Sequence, residues 1–576
     1  MEAKPLSGKE NEIATVKRDK LLDVFRRSVQ VSVRDDVEII DTIELEGTAG
    51  ALSLFRVGEN LFNLWLTGGD GVPIHEIDKG MLREIFDSQI SILDGTGPLR
   101  TESDVLLRYQ TFQGWDSRIG SGMEGSYDLV RDMGNHVIRK VTSDASFMME
   151  FLSNARKMPV GNYMLSRLST RGSRHVPAML GMSYWDAKNG NMPWMRLTGH
   201  PTGTTPSFRT FLSRLKTITD EFVVLSGPRA KRYLLDLSMS DHDSFREAER
   251  IGSSLGELHG SLLMDDAASS STRGRRNQIS DLFHLSTFTM TDVGTTIGTG
   301  SYYLTELKRD FVRLLGDRSK VNLVTGRRLK SLKRPPGKAK VEGVDETALD
   351  IFRTHLIKND RMLRARLGLI RSFRSSPSLP AAMDCRLERV EVDPEGHHIF
   401  SGFDWDLYGV GEGKLVKFLP LKDLAMVLNS FMKARYLTAR RAFRSMGTKS
   451  DPQPFNYLFL EYNLSKGSYT EMMRDFNTMG TFEGKEIPFS YVQKISLVTA
   501  LWFDRARNSL VGGYVRKLSE MGHDELLSYP ERADTIKGLR MIQSLIGLSE
   551  ALRVLGSGRV LSPAGLESDL LCALSV

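Results

Sequence analysis

The spacing of apolar residues changes period near residue 208, and that change limits the folds open to the chain. Before it, segments such as VEIIDTIEL, ALSLFRVGENLFNLWLTG and HVPAMLGMSYWDAKNGNMPWMRLTGH are runs of β-forming residues broken by turn signals, Asn189-Gly190 among them. They predict strands and hairpins. After it, apolar residues recur at helical spacing. Ala248, Ile251, Leu255, Leu258 and Leu262 share one face, and similar patterns cover 347–373, 421–443 and 492–521, with a further helical pair at the C-terminal end. The order predicts an α+β chain whose large C-terminal part is mostly helical. Within the β-rich part, helices are expected at 80–93 and 145–155.

A chain of 576 residues exceeds one ordinary core. The expected divisions are 1–112, 113–207 and 208–576, the last carrying polar insertions near 264–280 and 317–345. The hydrophobic fraction of 40% and charged fraction of 26% suit a globular protein. No apolar run reaches the roughly 18 to 20 residues that a membrane helix needs. The polar N-terminus MEAKPLSGKENEIATVKRDK lacks a signal-peptide pattern, so a cytoplasmic location is expected. Only Cys385 and Cys572 occur, which excludes a disulfide framework and a cysteine zinc knuckle. Much of the net charge of +7 falls in the basic run 317–343, around Pro335-Pro336-Gly337. This run reads as a solvated linker or as a nucleic-acid contact, and its lack of interleaved aromatics weighs against nucleic acid as a partner.

The chemistry concentrates in HHIFSGFDWDLYGVGEGKLVKFLPLKDLAMVLNSF, residues 397–431. His398-Ile399-Phe400 reads as a short buried strand. Asp404-Trp405-Asp406 then sets two carboxylates on one side of an extended chain. Such a pair can chelate a hard cation such as Mg²⁺, and it also reads as an acidic turn after an edge strand. Pro420 opens a helix with Leu421, Leu424, Ala425, Leu428 and Phe431 on one face, and Asp423 suits its N-terminal end. Upstream, Gly120, Gly122 and Gly125 form a turn that can bring backbone N–H groups to phosphates, ahead of the strand HVIRKV ending near Lys140. Asp384, twenty residues before Asp404, is a candidate general base in a loop; a cap is the alternative reading. A glycine-rich turn, a strand lysine, then separated aspartates on a helical part is the order of parts in a kinase-like phosphotransferase.

The segment Lys417-Phe418-Leu419-Pro420-Leu421-Lys422-Asp423-Leu424-Ala425 resembles the Lys-x-x-Pro-Leu-Arg-Asp-Val-Ala stretch that follows the metal-binding Asp-Phe-Glu of bacterial maltokinases. HVIRKV is similar to that family's strand carrying the ATP lysine, HVPAMLGMSYWD to its His-Val-Pro-x-Leu-Leu-Gly segment, and LGELHGSLL to its Thr-Ala-Glu-Leu-His helix. The resemblance spans roughly residues 30–520. It implies a bilobal protein-kinase-like fold, here with 1–112 as an N-terminal β-rich cap, 113–207 as the N-lobe and 208–576 as the C-lobe. It also implies ATP- and Mg²⁺-dependent phosphorylation of maltose or a related sugar at the anomeric hydroxyl. Residue by residue, Lys140 would contact nucleotide phosphates, Asp384 would act as base, and Asp404 with Asp406 would hold Mg²⁺. The departures lie in the catalytic loop. The family's His-Gly-Asp is Ala382-Met383-Asp384 here, and its metal-ligating Gln or Asn is Arg389, which has no acceptor atom but can neutralise phosphate. The glutamate that would pair with the lysine aligns near Asn162, leaving Glu150 as its substitute. A catalytically degenerate kinase fold that binds nucleotide or sugar, or acts as a regulatory partner, is the alternative these departures raise.

Overall fold

The computed structural model describes residues 37–44, 50–57, 60–67, 72–73, 79–94, 99–100, 106–112, 114–119, 123–132, 135–152, 160–187, 190–263, 283–315, 359–380, 383–403, 417–445, 458–459, 462–463, 465–466, 468–478, 487–527 and 540. They fall into two compact units that divide between Thr204 and Thr205, close to the change of period near 208.

In the first unit, β1 (Val37–Glu44), β2 (Gly50–Val57), β3 (Asn60–Thr67) and β4 (Val72–Pro73) form an antiparallel meander. Helix α1 (Lys79–Asp94) follows. A seven-stranded antiparallel sheet then runs in the order β5-β6-β10-β11-β9-β8-β7. Its strands are β5 (Leu99–Arg100), β6 (Leu106–Thr111), β7 (Ser126–Asp132), β8 (Asn135–Val141), β9 (Ala145–Phe151), β10 (Ala178–Ala187) and β11 (Gly190–Pro201), with helix α2 (Val160–Thr170) between β9 and β10. The sheet takes strands from both sides of residue 112, because β6 pairs with β10 through Gly181↔Thr111 to Asp186↔Leu106.

The helix expected over 145–155 is instead a strand through Phe151, and 153–155 lie outside the described residues. Ala145-Ser-Phe-Met-Met-Glu-Phe151 contains good helix formers, yet a tight turn commits it to the sheet. Thr142 N donates to Ala145 O at 2.9 Å, and Ala145 N donates to Thr142 Oγ1 at 3.1 Å. The strand is buried along nearly its whole length, so no polar alternation advertised it.

The two faces of this sheet differ in chemistry. Residues opposite one another in an antiparallel ladder share a face, so Ile138 with Met149 and Leu197 lies on one side. These side chains form a core with Leu82, Ile85, Phe86 and Ile90 of α1. Gly181 leaves room for α1: a Cβ there would stand 2.9 Å from Leu93 Cδ1. The other face carries Ser146, Glu150, Arg196, Thr198 and His200, all buried and all polar.

The second unit is mainly helical: α3 (Ser207–Val223), α4 (Gly227–Met239), α5 (Asp243–Leu262), α6 (Met290–Leu315), α7 (Asp360–Gly368), α8 (Leu421–Ser445), α9 (Tyr469–Thr478) and α10 (Ile487–Glu520). Two small sheets stand among them. One orders β12 (Thr205–Pro206), β15 (Val390–Val392) and β16 (His398–Phe400); the other orders β13 (Ser286–Thr287), β14 (Pro377–Pro380) and β17 (Lys417–Phe418). Gly252 and Gly513 let α5 and α10 approach backbone to backbone: a Cβ would lie 2.0 Å from Leu510 O at the first and 2.1 Å from Glu249 O at the second. Trp502, fully buried, packs with Phe211 and Phe431 at ring separations of 6.1 and 5.6 Å and belongs to the core of this unit. No helix among the described residues is long and apolar enough to cross a membrane.

Candidate functional site

In the second unit the candidate base is held by backbone pairing. Asp384 is 1% exposed and bridges to Gly402, with Asp384 N donating to Gly402 O at 2.9 Å. Only glycine fits at 402, since a Cβ would meet Asp384 Cβ at 2.7 Å. His398–Phe400 is the buried strand its sequence predicts, and Phe403 beyond it is fully buried. The chain entering Asp404-Trp405-Asp406 therefore runs against the chain carrying Asp384. Asp404, Trp405 and Asp406 themselves lie outside the described residues, as do Ala382 and both insertions.

The Asp384 carboxylate is gripped by Arg386, whose Nε donates to Oδ1 at 2.9 Å and to Oδ2 at 3.0 Å. This arginine was missed in the sequence; the signal was an Asp-x-Arg spacing that makes a bidentate contact within one turn. Arg389 sits at the end of a 3-10 turn, Leu387–Arg389, where its carbonyl accepts from Ser401 N and Oγ at 3.0 and 2.9 Å.

The loop is bolted to α8 from below. Lys422 Nζ donates to Met383 O at 2.8 Å and stands 2.7 Å from Asp423 Oδ1. Leu387 N donates to Ser430 Oγ at 3.0 Å, and Lys433 Nζ donates to Glu388 Oε1 at 2.6 Å. Asp423 Oδ2 lies 3.0 Å from His259 Nε2 on α5, and His259 Nδ1 lies 2.9 Å from Tyr514 Oη on α10. Asp423 thus does more than suit a helix dipole. Burial alone would raise its pKa, but the Lys422 charge and the His259 hydrogen bond outweigh that and hold it below the usual carboxylate value. Beside it, burial first and the Asp423 charge second push the Cys385 thiol well up, so the sulfur stays protonated and unreactive.

In the first unit Lys140 is interior to the sheet, on β8 between β7 and β9, and fully buried. It shares the α1 face with Ile138. Its Nζ donates to Ile119 O at 2.8 Å and stands 5.1 Å from the Tyr127 ring centroid and 5.7 Å from that of Phe86. Burial lowers the ammonium pKa, with the Asp87 charge opposing. Gly125 packs on the same side chain, 3.3 Å from Lys140 Cε were a Cβ present, while Gly120 and Gly122 lie outside the described residues. Glu150, expected on a helix as the partner of Lys140, is on β9 and faces the other way. There its Oε2 is 2.6 Å from Arg196 Nη2, and Arg196 Nη1 donates to Asn162 Oδ1 on α2 at 3.0 Å.

Two further clusters stand apart from these residues. Asp393, Glu395 and His397 converge on the turn between β15 and β16, where His397 Nδ1 is 3.1 Å from Asp393 Oδ2. A cavity of about 300 Å³ along α5 and α10 is lined by Arg246, Arg250, Arg516 and Lys517 with Glu249 and Glu520.

No protein-family model matches the chain. No curated protein matches it either. Among solved structures it is similar to a glucosamine kinase in complex with glucosamine, ADP and inorganic phosphate, at 12% identity and a TM-score of 0.50, over 94% of each chain. It is similar to crystal form B of glucosamine kinase at the same identity and TM-score, over 93% of this chain and 92% of that one. The chain has a kinase-like fold. The kinase-like order is visible strand by strand: three antiparallel strands, β7, β8 and β9, precede α2, and β10 and β11 return to the sheet so that β11 pairs with β9.

Proposed function

We propose that the protein is a small-molecule kinase that transfers the γ-phosphoryl group of ATP to a sugar hydroxyl. The observation that carries this reading is the bridge between Asp384 and Gly402, which brings the candidate base alongside the segment that enters the Asp404-Trp405-Asp406 pair. Phosphoryl transfer asks a protein mainly for positioning and charge. Asp384 accepts the proton of the acceptor hydroxyl, a role that demands fixed geometry, and the backbone bridge together with Lys422 supplies it. Arg386, on the Asp384 carboxylate, and Arg389, three residues further on, bring cationic charge for the transferred group. Asp404 and Asp406, hard oxygen donors separated by one residue, suit Mg²⁺, which when bound neutralises phosphate charge. Maltose is the acceptor implied by the family resemblance, and glucosamine is the sugar named for the similar structure. An ADP-release screen over a sugar panel containing both tests the proposal; no sugar raising turnover above the acceptor-free rate would sink it.

One observation favours a second reading, a nucleotide-binding protein without transfer. Arg386 Nε reaches both oxygens of the Asp384 carboxylate, and Arg389 stands where the resembling family has a metal ligand. Nucleotide binding with no phosphorylated product for any sugar would select that reading.

A further inference from the structure

In protein kinases the phosphate-contacting lysine lies on the third strand of the sheet and pairs with a glutamate of the helix that follows. Here the third strand before α2 is β9, Ala145-Ser-Phe-Met-Met-Glu-Phe151, which has no lysine or arginine. Helix α2, VGNYMLSRLST, has no acid. Both partners of the usual pair are missing from their usual elements, yet a buried ion pair occupies the polar face of the sheet with its signs exchanged between strands. The acid is Glu150 on β9 and the cation is Arg196 on β11, directly opposite in register. The link to the helix survives through Asn162, which accepts from Arg196 Nη1. Asn162 is fully buried, and its Nδ2 has no hydrogen-bond partner among the described residues. An orphaned buried donor beside a guanidinium is a costly arrangement that an anionic acceptor would relieve.

We infer that Arg196, oriented by Glu150 and Asn162, is the side chain that contacts the phosphates of the nucleotide in this protein, with the Asn162 amide as a second donor. The inference rests on the nucleotide-dependent function proposed above. A guanidinium is well suited to this role because it is always charged and presents its donors in a planar fork that matches phosphate oxygens. Lys140, by contrast, points to the apolar face, where Ile119 O and two aromatic rings receive its ammonium. Arg139 shares the polar face and is the competing cation, but it pairs with Asp128 at 2.9 Å.

The test is ADP and ATP binding by isothermal titration calorimetry on the full chain. The Glu150→Gln/Arg196→Gln double variant removes both charges together and keeps groups that can hydrogen-bond each other. It is expected to weaken ADP affinity by roughly 10- to 100-fold, the worth of a charge-assisted contact, while Arg139→Met binds as the wild type does. Arg196→Lys keeps the charge but not the planar fork, melts like the wild type, and is expected to bind ADP several-fold more weakly. Unchanged ADP affinity in the double variant or in Arg196→Lys overturns the inference, as does a loss confined to Arg139→Met or Lys140→Met. Those results leave nucleotide binding itself intact. Wild-type protein that binds neither ADP nor ATP overturns the proposed function, and this inference with it.

Discussion

Replacing Lys422 with methionine tests how the candidate catalytic loop is held. Lys422 is 1% exposed and Asp423 2%, so their contact of 2.7 Å is screened from water. Methionine keeps most of the stem and removes the ammonium. Asp423 then keeps its His259 contact but loses the neighbouring cation, and Met383 O loses its Lys422 donor. Breaking a buried pair by deleting one member leaves an uncompensated charge and costs about 3 to 5 kcal/mol. Because Asp423 escapes part of this by taking a proton, a value of about 3 kcal/mol is expected at pH 7 and less at pH 5. Urea denaturation followed by tryptophan fluorescence, with Trp502 in the core of the same unit, reads the change. Lys422→Met/Asp423→Leu should cost much less than the two single variants summed, since a pair of apolar residues strands no charge. The loop should also shift, and a displacement of about 1 Å at a catalytic group lowers kcat by roughly 10²-fold. A single-variant cost below about 1 kcal/mol, or strict additivity in the double variant, would refute the anchoring role.

Burial first, and the Arg196 charge second, depress the His200 pKa from 6.5 to about 4. Its neutral form is therefore favoured by folding, and its contribution is present above pH 6.5 and lost as pH falls toward 4. The loss should approach about 3 kcal/mol, and urea midpoints of His200→Gln should show a shallower decline over that range than those of the wild type. Gly252→Ala drives a Cβ to 2.0 Å from Leu510 O, a backbone atom that cannot step aside. It should destabilise by about 3 kcal/mol, at the top of the range for overpacking. Gly298→Ala, where a Cβ meets nothing within 4 Å on helix α6, should stabilise by about 0.5 to 1 kcal/mol, and thermal melts of the two variants provide the comparison.

Much of the fold was legible because burial on one face leaves a period behind. The helices at 79–94, 243–262, 421–445 and 487–520, and the β10–β11 pairing that the Asn189-Gly190 signal predicts, follow from spacing and turn residues. The α7 segment was legible in part: a short helix, Asp360–Gly368, passes into a 3-10 turn, and 347–358 lie outside the described residues. Strand β9 was not legible. A strand buried on both faces has no polar alternation, and Met148, Met149 and Glu150 favour helix on their own. That one misreading carried Glu150 to the wrong element and paired it with the wrong cation. In the second unit, Asp384 stood out from its loop context. Its controlling neighbours did not, since Gly402 pairs with it and Lys422 holds its loop only through the tertiary fold, and the His259 that braces Asp423 beside Lys422 lies 164 residues from Asp423 in sequence.

The claim that this kinase-like fold still transfers phosphate is tested most directly by ³¹P NMR of the products formed from ATP and a sugar panel containing glucosamine and maltose. A new phosphate-ester resonance should appear with at least one sugar, together with ADP, and Asp384→Asn should lose it while still binding ADP. ATP left intact with every sugar, or full product formation by Asp384→Asn, would contradict the account.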